Sequence, residues 1–347
     1  MLSDKTKKIL AVVIVAGSIL FSSFFFYFYQ MVKSPNILVE KSDGILLIAP
    51  NASFRSVQDS LIKYDIAHNL VAFSFLAKVM DYDAQIKPGR YLLKANMNNL
   101  DAIRLLRSGV QAPINLTFNT IRTKTDLAAK ITTPLAISQE EFLQLLEDES
   151  VAKSYGFTSE SIMAMFIPNT YQVYWTISAK DLFERMHTEY KAFWNEERKQ
   201  KAEAIGLSPV EVSILASIVQ AESSKYDESP VIAGVYLNRL KRGIPLQADP
   251  TLVFAAGDFT IQRVLNKHKE INSPYNTYKF AGLPPGPINL PDIRSIDAVL
   301  NYQSHKYLYF CAKDDFSGYH TFATNLIDHM KNAQRYQDAL NKAKLYK

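Results

Sequence analysis

The chemistry that can be read from this chain converges on one glutamate. Ser208-Pro209-Val210-Glu211 places an N-cap serine, a proline at the first helical position and a glutamate at the third, which predicts a helix beginning there. Along it Val212, Leu215, Ile218, Val219 and Glu222 fall on one face. Glu222 therefore ends a stripe that faces the core, where a carboxylate is poorly hydrated and its pKa rises. A glutamate that keeps its proton near neutral pH can act as a general acid. Periodicity alone also fits a frayed helix end with Glu222 turned to solvent.

Polar and aromatic residues gather on the segments that follow. Gln247-Ala248-Asp249-Pro250-Thr251, Ser273-Pro274-Tyr275-Asn276-Thr277-Tyr278 and Gly318-Tyr319-His320-Thr321-Phe322 are dense in both, and loops of that kind form binding surfaces. Other chemistries find no support. The single cysteine, Cys311, permits neither an internal disulfide nor a cysteine-rich metal site, and it reads as a buried strand residue. The six histidines lack H-E-x-x-H spacing, and the twelve glycines form neither a dinucleotide nor a P-loop motif. No metal and no cofactor is expected. A net charge of +5, with basic and acidic residues interleaved, also argues against nucleic acid as a partner.

These residues need a location and a scaffold. Residues 9–29 carry no charge and only three serines, enough as a helix to span the roughly 30 Å hydrocarbon core. The run ends in Phe24, Phe25, Phe26, Tyr27, Phe28 and Tyr29. Bulky aromatics suit an interfacial belt rather than the small-residue cleavage site of a signal peptide, the competing reading. Lys5, Lys7 and Lys8 precede the span, so the tail is expected to stay cytoplasmic and the remainder to be exported.

After the span, Ile45 to Ile48 reads as a strand, Ser53 caps a helix with Phe54, Val57 and Leu61 on one face, and a second helix covers about 68–80. Pro88-Gly89 turns into a strand over 90–93, and Asn99 opens a helix that Gly109 closes. The β-α-α-β order resembles a LysM-like glycan-binding module; a plain spacer domain is the alternative. Residues 111–120 alternate as a linking strand. Ser138 with Glu141 and Ser178 with Asp181 start further helices, the second running toward Gly206. Ser229-Pro230 caps a helix ended by Gly243.

The segments SILASIVQAES, YLNRL, LQADPTLVF, SPYNTY, GLPPGPI and YHTFATN, in that order, together with Pro168-Asn169-Thr170-Tyr171, resemble the endolytic murein transglycosylase family. Two departures are Gln220 and Ala221, where many members have a charged pair, and Asn169, where the family usually has aspartate. The resemblance implies an α+β chain with a cytoplasmic tail over 1–8, a single transmembrane helix over 9–29, a spacer over 30–43, a LysM-like module over 44–110 and a mainly helical catalytic domain with a small sheet over 111–347. It implies an inner-membrane enzyme, its catalytic domain periplasmic, that cuts inside nascent peptidoglycan strands. Peptidoglycan strands and peptidoglycan synthases (penicillin-binding proteins) are the implied partners.

The resemblance places the acid at Glu222. It would protonate the oxygen between N-acetylmuramic acid (MurNAc) and the next N-acetylglucosamine (GlcNAc), and then accept the C6 hydroxyl proton as that oxygen attacks C1, leaving a 1,6-anhydro end. Ser223, Asn238, Gln247, Tyr275, Asn276 and Tyr278 are candidate substrate contacts, and Asp249 could stabilise oxocarbenium-like charge. Asp249 before Pro250 equally suits a helix cap, the tyrosines equally suit core positions, and Arg239 suits an internal carboxylate partner. His320 could touch a sugar, buttress Glu222 or be a satisfied interior histidine. The prolines and glycines of Leu283 to Pro287 fix a loop. The rival functions are a non-catalytic peptidoglycan-binding scaffold and an exported hydrolase.

Overall fold

In the computed structural model, which describes residues 3–37 and 44–343, helix α1 (Asp4–Lys33) is long and apolar enough to cross a membrane, and it is exposed except near its end, where Met31 and Val32 are partly covered. It starts within the expected tail and continues past Tyr29 to Lys33, so the spacer expected over 30–43 opens as helix. Ile37 is already fully buried and bridges to Ala67. Residues 1, 2 and 38–43 of the expected tail and spacer lie outside the described residues.

The chain divides into two units, and α1 belongs to the first. There β1 (Gly44–Ile48), α2 (Phe54–Lys63), α3 (Leu70–Val79), β2 (Gly89–Leu93) and α4 (Asn99–Ser108) realise the β-α-α-β order with one more helix. β1 and β2 pair antiparallel, Gly44 opposite Leu93 and Ile48 opposite Gly89. Alternation sends Leu46, Ile48, Tyr91 and Leu93 into a core with Val57, Leu61, Phe73, Leu76, Ile103 and Leu106. Gly109 closes α4 at φ 77°, in the left-handed region. The opening of α4 differs from expectation: Asn98 is the cap, accepting from Asp101 N. Asn99 is buried instead, accepting from Asn36 Nδ2 at 2.6 Å and donating to the Met31 carbonyl at 2.9 Å, which ties the end of α1 to this unit.

β3 (Ile114–Phe118) pairs with β4 (Asn169–Val173). The second unit is mainly helical: α5 (Lys124–Thr132), α6 (Gln139–Glu147), α7 (Glu149–Ser154), α8 (Ala179–Phe193), α9 (Glu196–Ala204), α10 (Pro209–Glu222), α11 (Ser229–Lys241), α12 (Asp249–Ala256), α13 (Asn266–Lys269), α14 (Ile293–Leu300) and α15 (Leu326–Lys342). Its small sheet is β5 (Tyr309–Ala312) antiparallel to β6 (His320–Ala323), and Cys311 lies half-buried in β5. The single helix expected from Ser178 toward Gly206 is two. Asn195 interrupts it by accepting from Arg198 N as a new N-cap, and Trp194 is buried at the break. Glu228, not Ser229, occupies the N-cap of α11.

α10 is the centre of this unit. Its start is a complete capping box: Ser208 Oγ accepts from Glu211 N, and Glu211 Oε2 accepts from Ser208 N at 2.7 Å. Every residue from Val212 to Val219 is buried. A loop holds the far end in place: Ile288 N donates to Ser217 Oγ at 3.0 Å, Asn289 Nδ2 to the Ser217 carbonyl at 2.9 Å and Asp292 N to Gln220 Oε1 at 2.6 Å. That loop needs Gly286, where a Cβ would lie 2.1 Å from the Glu160 carbonyl oxygen. Gly286→Ala should therefore destabilise the protein by roughly 1–3 kcal/mol through overpacking against backbone. An unchanged midpoint in thermal unfolding would show that the loop shifts without strain.

Candidate active site

Glu222 is the last residue of α10, and Ser223 leaves the helix in an extended conformation. The interior stripe thus delivers the carboxyl group to the edge of the core, half-buried, which decides between the two readings its spacing left open. Tyr236 comes from the middle of α11, is buried, and donates its hydroxyl to Glu222 Oε1 at 2.5 Å. Loss of water around the carboxyl raises the Glu222 pKa to about 7; the Tyr236 hydrogen bond opposes the rise, the charge of Asp249 adds to it and the charge of Arg239 opposes it. A helix C-terminus also disfavours a negative charge. Burial first, and the neighbouring Glu222 second, push the Tyr236 phenol well above its usual range, so it remains a donor.

Asp249 is the second carboxylate. It sits at the first position of α12, whose N-cap is Ala248 with no side-chain bond, so the helix-cap role is not what holds it. Its Oδ1 accepts from the Tyr278 hydroxyl at 2.5 Å. The two loops that carry this pair are laced together: Gln247 N donates to the Thr277 carbonyl, and Ala248 N to Thr277 Oγ1. Arg239 is buried without the carboxylate partner its type suggested. Its guanidinium donates to the carbonyls of Leu308 (2.6 Å), Pro245 (3.0 Å) and Leu246 (2.9 Å) and to Gln247 Oε1 (3.2 Å).

Two cavities open beside these groups. The smaller, about 380 Å³, is lined by Tyr236, Arg239, Gln247, Tyr278, Tyr309 and His320 among others. The larger, about 860 Å³, is lined by Arg122, Ser223, Tyr226, Phe254 and Phe259 among others. Glu222 and Asp249 line both. Among the described residues, no group of three or more His, Cys, Asp or Glu side chains could hold a metal ion.

The structure gathers Glu222, Ser223, Gln247, Asp249, Tyr278 and His320 around these cavities and engages the other expected contacts elsewhere. Asn238 Nδ2 donates to the carbonyls of His305 and Tyr307. Asn276 is buried, its Nδ2 donating to the carbonyls of Lys269 and Ile271 and its Oδ1 accepting from Tyr278 N. Tyr275 packs on Phe254 with ring centres 4.7 Å apart and lines neither cavity. His320 is paired with Glu228 rather than Glu222: its backbone N donates to Glu228 Oε1, and its Nδ1 lies 2.9 Å from Glu228 Oε2. Sequence reading missed Tyr236 and the guanidinium of Arg122, which stacks 5.0 Å over Phe259. No local spacing marks either, because their partners lie on other elements.

Fold and site together define the class: a mixed α/β, mainly helical protein behind one apolar N-terminal helix, with a carboxyl whose pKa burial raises to about 7 where two open cavities meet. Residues 46–335 match the YceG-like family. The chain belongs to that family. It is 30% identical over 311 residues to the endolytic murein transglycosylase of Bacillus subtilis strain 168, covering 85% of each. Against the protein of the same name from Streptococcus pneumoniae strain R6 it is 28% identical over 329 residues, covering 85% of this chain and 58% of that one. A crystal structure of a YceG-like protein from Listeria monocytogenes superposes with a TM-score of 0.53 at 26% identity, covering 84% of this chain and 99% of the other. The resemblance carried by the six ordered segments is borne out.

Proposed function

We propose that the chain is a membrane-anchored endolytic murein transglycosylase that cuts the MurNAc–GlcNAc bond within nascent peptidoglycan strands, leaves 1,6-anhydro-MurNAc ends and so ends strand elongation. The observation that carries this reading is Glu222, with a pKa near 7 at the junction of two open cavities. A strand running through both would present an internal bond, not a chain end, to the acid.

Protonated Glu222 gives its proton to the bridging oxygen as the bond from that oxygen to MurNAc C1 breaks, and GlcNAc leaves with a free hydroxyl. The Glu222 carboxylate then takes the proton of the MurNAc C6 hydroxyl while O6 bonds to C1. The acid is regenerated and no water is consumed. The attack is intramolecular, so proximity supplies much of the rate and no protein nucleophile is needed. Tyr236 orients the carboxyl, and Asp249, held by Tyr278, is placed to offset positive charge developing at C1. The division of labour follows the domain boundaries expected from the sequence: α1 anchors with its N-terminus cytoplasmic, residues 44–110 act as a LysM-like glycan-holding module and residues 111–347 catalyse.

Mass spectrometry of digested sacculi separates the readings, because anhydro ends are lighter than reducing ends by one water. Anhydro ends are expected; reducing ends would assign a hydrolase, and uncut strands a scaffold. The pH dependence has a definite sign. Chemistry starts from protonated Glu222, so kcat/KM should be high below and fall as pH rises through about 7. Tyr236→Phe removes a hydrogen bond that favours the carboxylate, so that midpoint should move upward. A midpoint that stays in place would mean the bond seen between these groups does not operate in solution.

A further inference from the structure

Helix α3 is apolar on both sides, and only one side is covered. Ala72, Phe73, Leu76 and Ala77 face the core of the first unit. Val71, Phe75 and Val79, spaced four apart, are 80%, 49% and 58% exposed. They form a stripe about 12 Å long that winds gently around a ten-residue helix whose single charged residue is Lys78. A helix that is apolar all round belongs in a core or in lipid, and a contiguous exposed stripe marks a surface that something covers.

What covers it follows from where α1 goes. Phe26 and Tyr27 stand in the aromatic end of the apolar span, at the depth where such rings meet the headgroups. They line one cavity, about 390 Å³, together with His68, Asn69 and Ala72 at the start of α3. Four residues beyond Tyr27, the Met31 carbonyl is already bonded to Asn99, so no flexible tether separates this unit from the span. The first turn of α3, which carries Val71, is therefore held at interfacial depth. Lys63, beside the Tyr64 ring at the end of α2, and Lys78 can reach past apolar surface to lipid phosphates.

We propose that the exposed stripe of α3 rests on the outer-leaflet lipid of the membrane that α1 spans, so that the first unit lies against the bilayer rather than projecting from it. The inference rests on the reading of α1 as an uncleaved anchor. It is tested with the full chain carrying Phe75→Trp, reconstituted into phosphatidylcholine vesicles with or without brominated acyl chains. The wild-type signal, from Trp175 and Trp194, is subtracted. The added tryptophan should lose emission in brominated vesicles relative to unbrominated ones, as expected for an indole seated at the interface, and Val79→Trp serves as a second probe should Phe75→Trp misfold. A carbonate wash runs in parallel. Protein that resists carbonate yet shows no quenching at either position overturns the inference and leaves the anchor standing, and concentration-dependent self-association without quenching would assign the stripe to a second copy of the chain. Protein stripped by carbonate overturns the anchor, and the inference with it.

Discussion

Glu222→Gln is expected to lower the yield of anhydro ends by about 10²–10⁴-fold or more, since general acid–base catalysis is worth about that much and the proposed mechanism has one group serve both proton transfers. Glutamine keeps the length of the side chain and an amide oxygen that can still accept from the Tyr236 hydroxyl. It can neither give nor take the proton. Folding should be preserved, because the substitution also removes a poorly hydrated acid whose ionisation the site disfavours. The measurement is anhydro-muropeptide yield from sacculi, with thermal unfolding as the control. Wild-type yield from folded Glu222→Gln would remove Glu222 from the mechanism and pass the role of acid to Asp249, which lines the same two cavities.

The largest effect on stability is expected at Arg239. Arg239→Met keeps much of the aliphatic volume but leaves the carbonyls of Pro245, Leu246 and Leu308 without this donor. A buried acceptor left unmatched costs about 1–3 kcal/mol, so a total loss of roughly 3 kcal/mol or more should appear in denaturant unfolding. Lysine is no rescue, because a single ammonium cannot reproduce the planar fork. A second readout separates this role from simple packing: the charge of Arg239 favours the Glu222 carboxylate, so the falling limb of kcat/KM in any folded Arg239→Met protein should move to higher pH. A loss under about 1 kcal/mol with an unmoved limb would mean water replaces the guanidinium at those carbonyls.

Local signals carried the reading of the elements. The capping box at Ser208 fixed the start of α10 and the periodic stripe behind it put Glu222 in line with the interior face, both through contacts within a few residues, while a frayed end turned to solvent stayed open until the fold was known. The break between α8 and α9 escaped because Asn195 sits among helix-forming polar residues and reveals itself as a cap only once its side chain is seen accepting from Arg198 N. Residue type misled at Asn238 and Asn276: an amide that could hold a sugar acetamido group serves a backbone carbonyl equally well, and the fold puts carbonyls there. Asp249 before Pro250 had the type of a cap, yet Tyr278 from a later loop claimed its oxygen.

The sequence by itself determined the apolar N-terminal helix, the β-α-α-β order of the first unit, the start of α10 and the position of Glu222 on its interior stripe, because helix periods, caps and turn residues act through neighbours along the chain. Only the tertiary structure decided that Tyr236 holds Glu222, that Arg239 answers carbonyls and not a carboxylate, that His320 belongs to Glu228, and that two cavities meet at Glu222 and Asp249. Whether a carboxyl keeps its proton depends on which groups exclude water from it. Those groups arrive from elements far apart in the chain, whose juxtaposition no local pattern encodes.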